Sequence, residues 1–421
     1  MKVTNFFRQI RNKVTGVNVI QGEINVLRDM LDDSKIYSTG QSVSGLDKIN
    51  SDMQKLLDSI NDTARVLAGK KPGVNASVRI AFVFQHSSIW PVWRNVFSAC
   101  MENDKVVVDV VLVPFFHMNS STAIIYDDMR QLLVKEGVSF YTSEYYDLDQ
   151  FQPDVVFLQN PYDETRPSHL RVKELLRESI RIAYIPYGLE MGGGSWNLTS
   201  QFDLPVQRGA WRIFARSDRH LRMFSKYCQS GSGHVVVTGH PKFDSTVDRS
   251  DCDIGPALKQ KINGRKVLLW TPHFAVGDPP TWSTYRIYSD IIFEYMRNKP
   301  ETFLLIRPHP LFFRSMQQNK IWDSEGENRF RGTIEQADNI ALDESVDYLP
   351  AFSIADALMA DVGSFLLEFL PTGKPLLYLH HPEGLGMNDD EDLVESLYKV
   401  SNPEQIPEFI DMIFNGEDPK R

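Results

Sequence analysis

The sequence predicts an α/β protein whose two halves each contain a parallel β-sheet and face one another across a cleft. From Val78 onward, short apolar runs alternate with helical periodicity, as in "VRIAFVF" and "DMRQLLVKEGV". This alternation is typical of parallel strands joined by helices. The pattern restarts near residues 211–239, which indicates a second sheet. Two Rossmann-like halves of this kind bind ligands at the carboxyl ends of their strands.

The chain has 421 residues, which is more than one ordinary domain needs. We predict a helical segment at residues 1–75, a first Rossmann-like domain at residues 76–225 and a second at residues 226–421. In the helical segment, Leu46, Ile49, Met53, Leu56 and Ile60 follow a 3-4-3-4 spacing. This apolar stripe fits a coiled coil that joins identical subunits, and it equally fits packing on the chain's own core.

Charge and cysteine content restrict the class of protein. The net charge of −10 disfavours a general nucleic-acid binder, which would carry a basic footprint. Three distant cysteines without a CxxC pair favour a reducing cytoplasm over a disulfide framework or a zinc site. The N-terminal "FFRQIRNK" combines aromatic and basic residues, as interfacial helices do. We therefore expect a cytoplasmic protein with a peripheral contact at the inner membrane face.

Histidines follow three of the predicted strands, in "TGHPKFD" (His240), "WTPHF" (His273) and "RPHP" (His309). Proline fixes its own φ and restricts the residue before it, so Arg307 and His309 are held at a strand end. One such histidine is more often structural, whereas three at strand ends indicate a shared anionic ligand. Their spacing is not that of a metal site, and the sequence predicts neither a metal nor a cofactor.

The stretch "ADALMADVGSFLLEFLPTGKPLLYL" predicts a phosphate-binding turn. A strand ends at Asp361, Gly363 and Ser364 form a tight turn, and a helix follows. Backbone N–H groups at a helix start, together with the Ser364 hydroxyl, can bind a phosphate. Glu368 lies one helical turn further on the same face, where a carboxylate would accept hydrogen bonds from a ribose diol. The same spacing also fits an ordinary capped helix with a solvated glutamate.

Five motifs in order resemble the CDP-glycerol glycerophosphotransferase family, the transferases and polymerases of teichoic acids and related capsule polymers. They are "TGHPKFD", "LLWTPHF", "LLIRPHP", "ADALMADVGSFLLEF" and "GKPLLYL", within a resemblance that spans residues 153–379. The resemblance implies a GT-B-like fold with an acceptor domain followed by a domain that binds the CDP-linked donor. It also implies that Arg307 and His309 contact the donor pyrophosphate, that Ser364 binds phosphate and that Glu368 holds the ribose.

The sequence departs from the family pattern at two places. In the family's Asp-Tyr-Ser-Ser turn, Asp361 and Ser364 match, but the two residues between them do not. The family also places a His-Gly pair after the last strand of the first half, and its histidine resembles a general base. Here Tyr187 stands at the histidine position and Gly188 remains. A neutral tyrosine is a poor base because its ordinary pKa is about 10.

Two residues are candidate replacements for the missing histidine. Glu190 lies two positions after Gly188, and His86 lies in "FQHSSIW" after the first strand. The glycine run at residues 192–194 permits a close backbone approach to a ligand, or forms a flexible loop.

The leading hypothesis is a transferase that moves a polyol phosphate, such as glycerol phosphate, from a CDP-linked donor to a hydroxyl acceptor in cell-surface polymer synthesis. The acceptor would be a polyol phosphate or a glycan. Two alternatives stay open: a glycosyltransferase using a CMP- or UDP-sugar, and a non-catalytic nucleotide-binding scaffold. In the leading hypothesis Glu190 takes the acceptor proton, while His273, His309, Gly363 and Ser364 contact the donor.

Overall fold

The computed structural model describes residues 77–116, 123–124, 127–247, 254–345, 347–388 and 391–420. The predicted helical segment at residues 1–75, with its apolar stripe and its "FFRQIRNK" start, lies outside the described residues. The described part forms two lobes, each a parallel sheet with helices on both faces, and the predicted α/β fold is confirmed. No helix within these ranges combines the length and the apolar character needed to cross a bilayer.

The first lobe contains a parallel sheet in which the described residues contribute seven strands in the order β5-β2-β1-β6-β7-β8-β9. A short antiparallel pair, β3 and β4, lies apart from it. The strands are β1 (Val78–Phe84), β2 (Val106–Leu112), β3 (Phe115–Phe116), β4 (Ala123–Ile124), β5 (Tyr141–Thr142), β6 (Val155–Leu158), β7 (Arg181–Tyr184), β8 (Arg212–Ala215) and β9 (Val235–Val237). The helices are α1 (Trp90–Met101), α2 (Asp127–Lys135), α3 (Leu148–Phe151), α4 (Val172–Arg177), α5 (Ser195–Phe202), α6 (Pro205–Gly209), α7 (Asp218–Tyr227) and α8 (Lys242–Val247).

The second lobe contains a parallel sheet with six strands among the described residues, in the order β12-β11-β10-β13-β14-β15. The strands are β10 (Lys266–Thr271), β11 (Thr302–Ile306), β12 (Ile340–Leu342), β13 (Ala357–Ala360), β14 (Leu376–Leu379) and β15 (Tyr398–Val400). The helices are α9 (Pro256–Ile262), α10 (Tyr285–Arg297), α11 (Phe312–Gln318), α12 (Gly326–Glu335), α13 (Leu349–Ile354), α14 (Phe365–Glu368) and α15 (Gln405–Phe414).

Both sheets bury side chains on both of their faces. Successive residues of β10 and β11 alternate between two apolar clusters: Leu269 and Leu305 belong to one, Leu268 and Leu304 to the other. Side chains of a strand point alternately to opposite faces, so each cluster lies on one side of the sheet under its own helices. A strand buried on both faces has to be apolar throughout, which is why these strands are continuous apolar runs in the sequence.

The first sheet extends beyond residue 225, where we predicted that the first domain ends. Strand β9 pairs in parallel with β8, with Val235 opposite Ile213 and Val237 opposite Ala215. A strand followed by a polar loop has the same local pattern whichever sheet it joins. The sequence therefore indicated β9 as a strand but not its partner, and the first sheet continues to Val237.

The loop that follows β7 crosses from the first lobe into the second. Its Leu189 and Met191 are almost completely buried, and they belong to an apolar cluster of the second lobe that includes Trp282 and Met387. Burying an apolar side chain of this size stabilises a fold by about 1.5–3 kcal/mol. The two lobes therefore share part of one core.

The glycine run of this loop packs against the main chain of the second lobe. The N–H of Gly193 donates to the carbonyl of Gly386 at 3.0 Å, and Gly192 forms an antiparallel bridge with Met387. A Cβ on Gly193 would lie 2.6 Å from the carbonyl oxygens of both Leu385 and Met387. We call this contact between residues 192–194 and residues 385–388 the interlobe clasp. The close approach that these glycines permit is thus an approach to the other lobe's backbone.

Replacing Gly193 by alanine is expected to lower the free energy of unfolding by about 1–3 kcal/mol, the usual range for overpacking. The clashing atoms are backbone carbonyls on a second segment, so they cannot move aside as a side chain would. Urea unfolding measures the effect. Gly332→Ala in helix α12 is the matched control, because an added Cβ there meets nothing within 4 Å. Equal midpoints for the two variants would show that the interlobe clasp contributes nothing to stability.

Candidate functional site

A cavity of about 350 Å³ lies where the two lobes meet. We call it the cleft. The first lobe lines it with the loop after β7 and with helix α5, and the second lobe lines it with the segments that follow β10 and β13. Its lining includes these predicted site residues: Tyr187, Gly188, Glu190, His273, Gly363 and Ser364.

The histidines that follow the strands share one local geometry. In His240, His273 and His309, the ring Nδ1 accepts a hydrogen bond from the backbone N–H two residues later, at 3.1–3.3 Å. His381, after β14, does the same at 3.2 Å. An accepting Nδ1 leaves the hydrogen of a neutral imidazole on Nε2. The turn therefore sets the tautomer as well as the position of each ring.

His273 and His309 form a pair on the second-lobe side of the cleft. Their ring centroids are 5.7 Å apart, and His309 also lies 4.4 Å from the ring of Phe274. Desolvation lowers the pKa of His273 to about 3 and that of His309 to about 4, although His309 as a residue is exposed. Within the described part of the chain, neither Nε2 makes a hydrogen bond. The pair thus presents two neutral N–H donors, the arrangement expected for an anionic ligand.

His240 has a different role from this pair. Its Nε2 donates to the carbonyl of Pro186 at 2.7 Å, and the side chain is buried. Burial lowers its pKa to about 4. This hydrogen bond ties the segment after β9 to the start of the loop that carries Glu190. His240 is therefore placed to hold the loop.

The turn after β13 is built mainly by internal hydrogen bonds. Asp361 accepts the N–H of His273 at 2.8 Å and the hydroxyl of Thr284. Burial raises the pKa of Asp361 to about 7, although these hydrogen bonds act to lower it. Helix α14, which starts after Ser364, has only four residues, so its dipole contributes little at the turn. Asp361 therefore positions His273, and an anion here would depend on side chains and local N–H groups.

Glu368 is completely buried, next to the segment that joins the lobes. Its Oε1 accepts a hydrogen bond from Nζ of Lys242 at 3.0 Å, whereas Oε2 has no hydrogen-bond partner. Burial would raise the pKa of Glu368, but the Lys242 ammonium and the hydroxyls of Tyr348 and Ser364 outweigh it and lower the pKa. Glu368 is thus an internal, ion-paired group that does not line the cleft, and its contact with a ribose diol stays a prediction.

Arg307 extends from the end of β11 toward the loop after β12. Its guanidinium donates to Asp343 at 2.5 Å and to the hydroxyl and carbonyl of Ser345 at 3.0 and 2.7 Å. It does not line the cleft but lies on the same edge of the sheet, near enough to Tyr348 to affect that residue's pKa. Contact with a pyrophosphate, as predicted, would require the ligand to extend beyond the residues that line the cleft.

On the first-lobe side, Glu190 is held at its carboxylate by Arg216 and at its backbone carbonyl by Asn388. Its Oε2 forms an ion pair with Arg216 at 2.9 Å and lies 3.5 Å from Nε2 of His220. Burial lowers the pKa of His220 well below its usual value, so this ring is neutral. The carbonyl of Glu190 accepts a hydrogen bond from Nδ2 of Asn388 at 2.8 Å. The first lobe therefore fixes the carboxylate of Glu190, and the second lobe fixes its backbone carbonyl.

The other predicted acceptor-side residues separate into two places. Tyr187 lines the cleft, and its hydroxyl lies 3.3 Å from that of Tyr162. Burial raises the pKa of Tyr187 well above its usual value, so it is a hydrogen-bonding group rather than a base. His86 is absent from the cleft lining; its ring packs on Phe115 and its backbone is bonded to the side chain of Gln159. Of the two candidate bases, only Glu190 lines the cleft.

Sequence reasoning missed the groups that position Glu190 and Glu368, namely Arg216, His220, Asn388 and Lys242. Lys242 was visible inside "TGHPKFD", but nothing local linked it to a carboxylate 126 residues later. Trp196 and Trp282, whose rings meet at the cleft 5.5 Å apart, were also missed. Among the residues that the structure describes, no group of three or more metal-ligating side chains is close enough to hold a metal ion.

The sequence model of one family, CDP-Glycerol:Poly(glycerophosphate) glycerophosphotransferase, matches residues 195–383. The predicted family resemblance is confirmed over this segment. The match contains the predicted donor-side residues His273, Arg307, His309, Ser364 and Glu368. It begins at residue 195, five positions after Glu190, so Glu190 lies outside it. None of the curated proteins matches the chain.

Solved structures share the two-lobed fold at low sequence identity. A putative UDP-N-acetylglucosamine 2-epimerase from Listeria monocytogenes aligns with a TM-score of 0.57 and 13% identity, over 81% of this chain and 88% of that chain. The Neisseria meningitidis UDP-GlcNAc 2-epimerase bound to UDP-GlcNAc aligns with a TM-score of 0.53 and 16% identity, over 80% and 92%. The wall teichoic acid polymerase TagF aligns with a TM-score of 0.48 and 12% identity, over 90% and 92%. The two epimerase alignments support the GT-B-like fold.

Proposed function

We propose that the protein transfers a polyol phosphate, of the glycerol phosphate type, from a CDP-linked donor to a hydroxyl acceptor in the synthesis of a cell-surface polymer. One observation carries this proposal. The segment that matches the glycerophosphotransferase family contributes His273 to the cleft lining, with the ring of His309 packed beside it, and the other lobe contributes Glu190 to the same lining. This arrangement supplies a site for the donor phosphates and a candidate base on opposite sides of one cavity.

In the proposed reaction, the acceptor oxygen attacks the donor phosphorus that bears the polyol. The bond between this phosphorus and the bridging oxygen breaks, and CMP leaves with the bonding electrons. The acceptor proton passes to Glu190. Phosphoryl transfer depends mainly on positioning and on stabilising the charge of the leaving phosphate, to which the His273–His309 pair and Ser364 would donate hydrogen bonds.

Calorimetric titration with CMP and with CDP-glycerol tests the donor site. We expect both to bind, and His309→Ala to weaken binding roughly 10- to 150-fold, the effect of losing one hydrogen bond to a charged group. His381→Ala is the matched control: His381 occupies the same kind of turn, but the ring that packs on the cleft-lining residues His273 and Phe274 is that of His309. It is expected to bind CMP as the wild type does.

The same titration separates the alternatives. Binding of UDP-sugars without binding of CMP would overturn the proposal in favour of a glycosyltransferase. Binding of CDP-glycerol without turnover, across glycan and polyol phosphate acceptors, would favour a nucleotide-binding scaffold. Loss of CMP binding in both histidine variants would show that the His309 effect is not specific to the cleft.

A further inference from the structure

The acceptor side of the cleft is lined by aromatic rings. Trp196 on helix α5 is 58% exposed, and its ring lies 5.5 Å from that of Trp282. Tyr162 and Tyr187 form a second pair, with ring centroids 6.3 Å apart and hydroxyls directed at one another. An exposed tryptophan ring offers a large flat apolar surface together with an N–H donor, which is why tryptophan is enriched at binding surfaces. These four rings would offer flat apolar faces to a ligand.

Polar groups accompany these rings on the same face of helix α5. Trp196, Asn197, Ser200 and Gln201 all line the cleft: they are two adjacent pairs, four positions apart, which places them one above the other on the helix. Nδ2 of Asn197 donates to the carbonyl of Gly192 at 2.7 Å. Its Oδ1 makes no hydrogen bond within the described part of the chain. The helix therefore adds an available acceptor beside the exposed ring.

The charge of this wall argues against an anionic acceptor. Among the described residues of the first lobe that line the cleft, Glu190 alone has a charged side chain, and it is negative. The nearest cation, Arg216, is already paired with Glu190 at 2.9 Å. A chain end that carries phosphate would be repelled by the carboxylate and would find no cation in the lining. An uncharged acceptor meets neither penalty.

We propose that the acceptor is a neutral sugar whose ring stacks on Trp196 and whose reacting hydroxyl faces Glu190. A sugar presents C–H groups on its ring face and hydroxyls at its edge, which suits an aromatic wall with a few polar groups. This inference rests on the proposed function, since it names the acceptor of the same reaction. The sugar oxygen forms the new bond to the donor phosphorus, CMP leaves with the bonding electrons, and the sugar proton passes to Glu190.

Acceptor kinetics with CDP-glycerol as donor test this assignment. Methyl N-acetyl-β-glucosaminide and glycerol 3-phosphate are compared as acceptors in the wild type, Trp196→Ala and Trp196→Phe. We expect the sugar to be the better acceptor, and Trp196→Ala to raise its KM roughly 5- to 10-fold with little change in kcat. Trp196→Phe keeps a ring and should retain most of the affinity. Tyr145→Ala, which removes an aromatic side chain that is 80% exposed and does not line the cleft, should change nothing.

Separate titrations distinguish failure of the inference from failure of the proposed function. CMP binding is measured in Trp196→Ala, and binding of the sugar alone is measured by calorimetry in the wild type. Preference for glycerol 3-phosphate, or loss of CMP binding in Trp196→Ala, would overturn the sugar assignment while the donor site stands. If CMP does not bind the wild type, the proposed function fails. In that case, sugar binding that depends on Trp196 would still support a glycan site. If the sugar does not bind either, the glycan site is overturned as well.

Discussion

Replacing Glu190 by glutamine is expected to lower kcat by about 10²–10⁴-fold, the usual contribution of a general base, while CMP binding stays unchanged. The substitution keeps the size and hydrogen-bonding reach of the side chain but removes its ability to accept the acceptor proton. The measurement is steady-state turnover of CDP-glycerol with the best acceptor found. Calorimetry on the same variant confirms that the donor site is intact.

Two further variants sharpen this prediction. Glu327→Gln is the matched control, because it removes a glutamate that is ion-paired with Arg331 on helix α12, away from the cleft. It should leave turnover unchanged. Arg216→Met removes the partner that holds Oε2 of Glu190 and is expected to lower kcat less than Glu190→Gln does. Full turnover in Glu190→Gln would show that another group accepts the proton.

Replacing Lys242 by methionine is expected to lower the free energy of unfolding by about 3–5 kcal/mol, because Glu368 would be left charged and completely buried. Denaturant unfolding at neutral pH measures this loss. The double variant Lys242→Met/Glu368→Gln should recover much of it, since no uncompensated charge remains. Lys299→Met is the control: its ion pair with Asp411 is partly exposed to solvent, and its loss should destabilise the fold much less than Lys242→Met does.

The loss in Lys242→Met should depend on pH in a definite direction. In the wild type Lys242 lowers the pKa of Glu368, so the pair stabilises the fold above the ordinary carboxyl pKa, and this stabilisation disappears as the pH falls through the lowered value. Without Lys242, burial dominates and raises that pKa. Protonation then relieves the variant, so its deficit should shrink between about pH 7 and about pH 5. A deficit that is constant over this interval would mean that lost packing, and not charge, explains the effect.

The sequence predicted the fold and several positions of the site because both leave local patterns. Strand β13 is apolar along its whole length, and the residues around His309 specify a turn by themselves. The contacts between residues that are distant in the sequence could not be predicted in this way. Glu190 depends on Asn388, which lies 198 positions away, and nothing near either residue indicates the other. The glycine run shows the same limit, since its spacing permits a close approach but does not say to what.

The loop after β7 also bears on which part of this chain can be exchanged as a unit. Leu189 and Met191 complete the core of the second lobe although they belong to the chain of the first. A chimera joined after Val237 would pair this loop with a foreign core, and it would need a matching recess there for both side chains. Recombination between relatives should therefore succeed when the loop and the segment at residues 385–388 come from the same parent. In this protein the unit that has to be exchanged together therefore contains residues from both lobes.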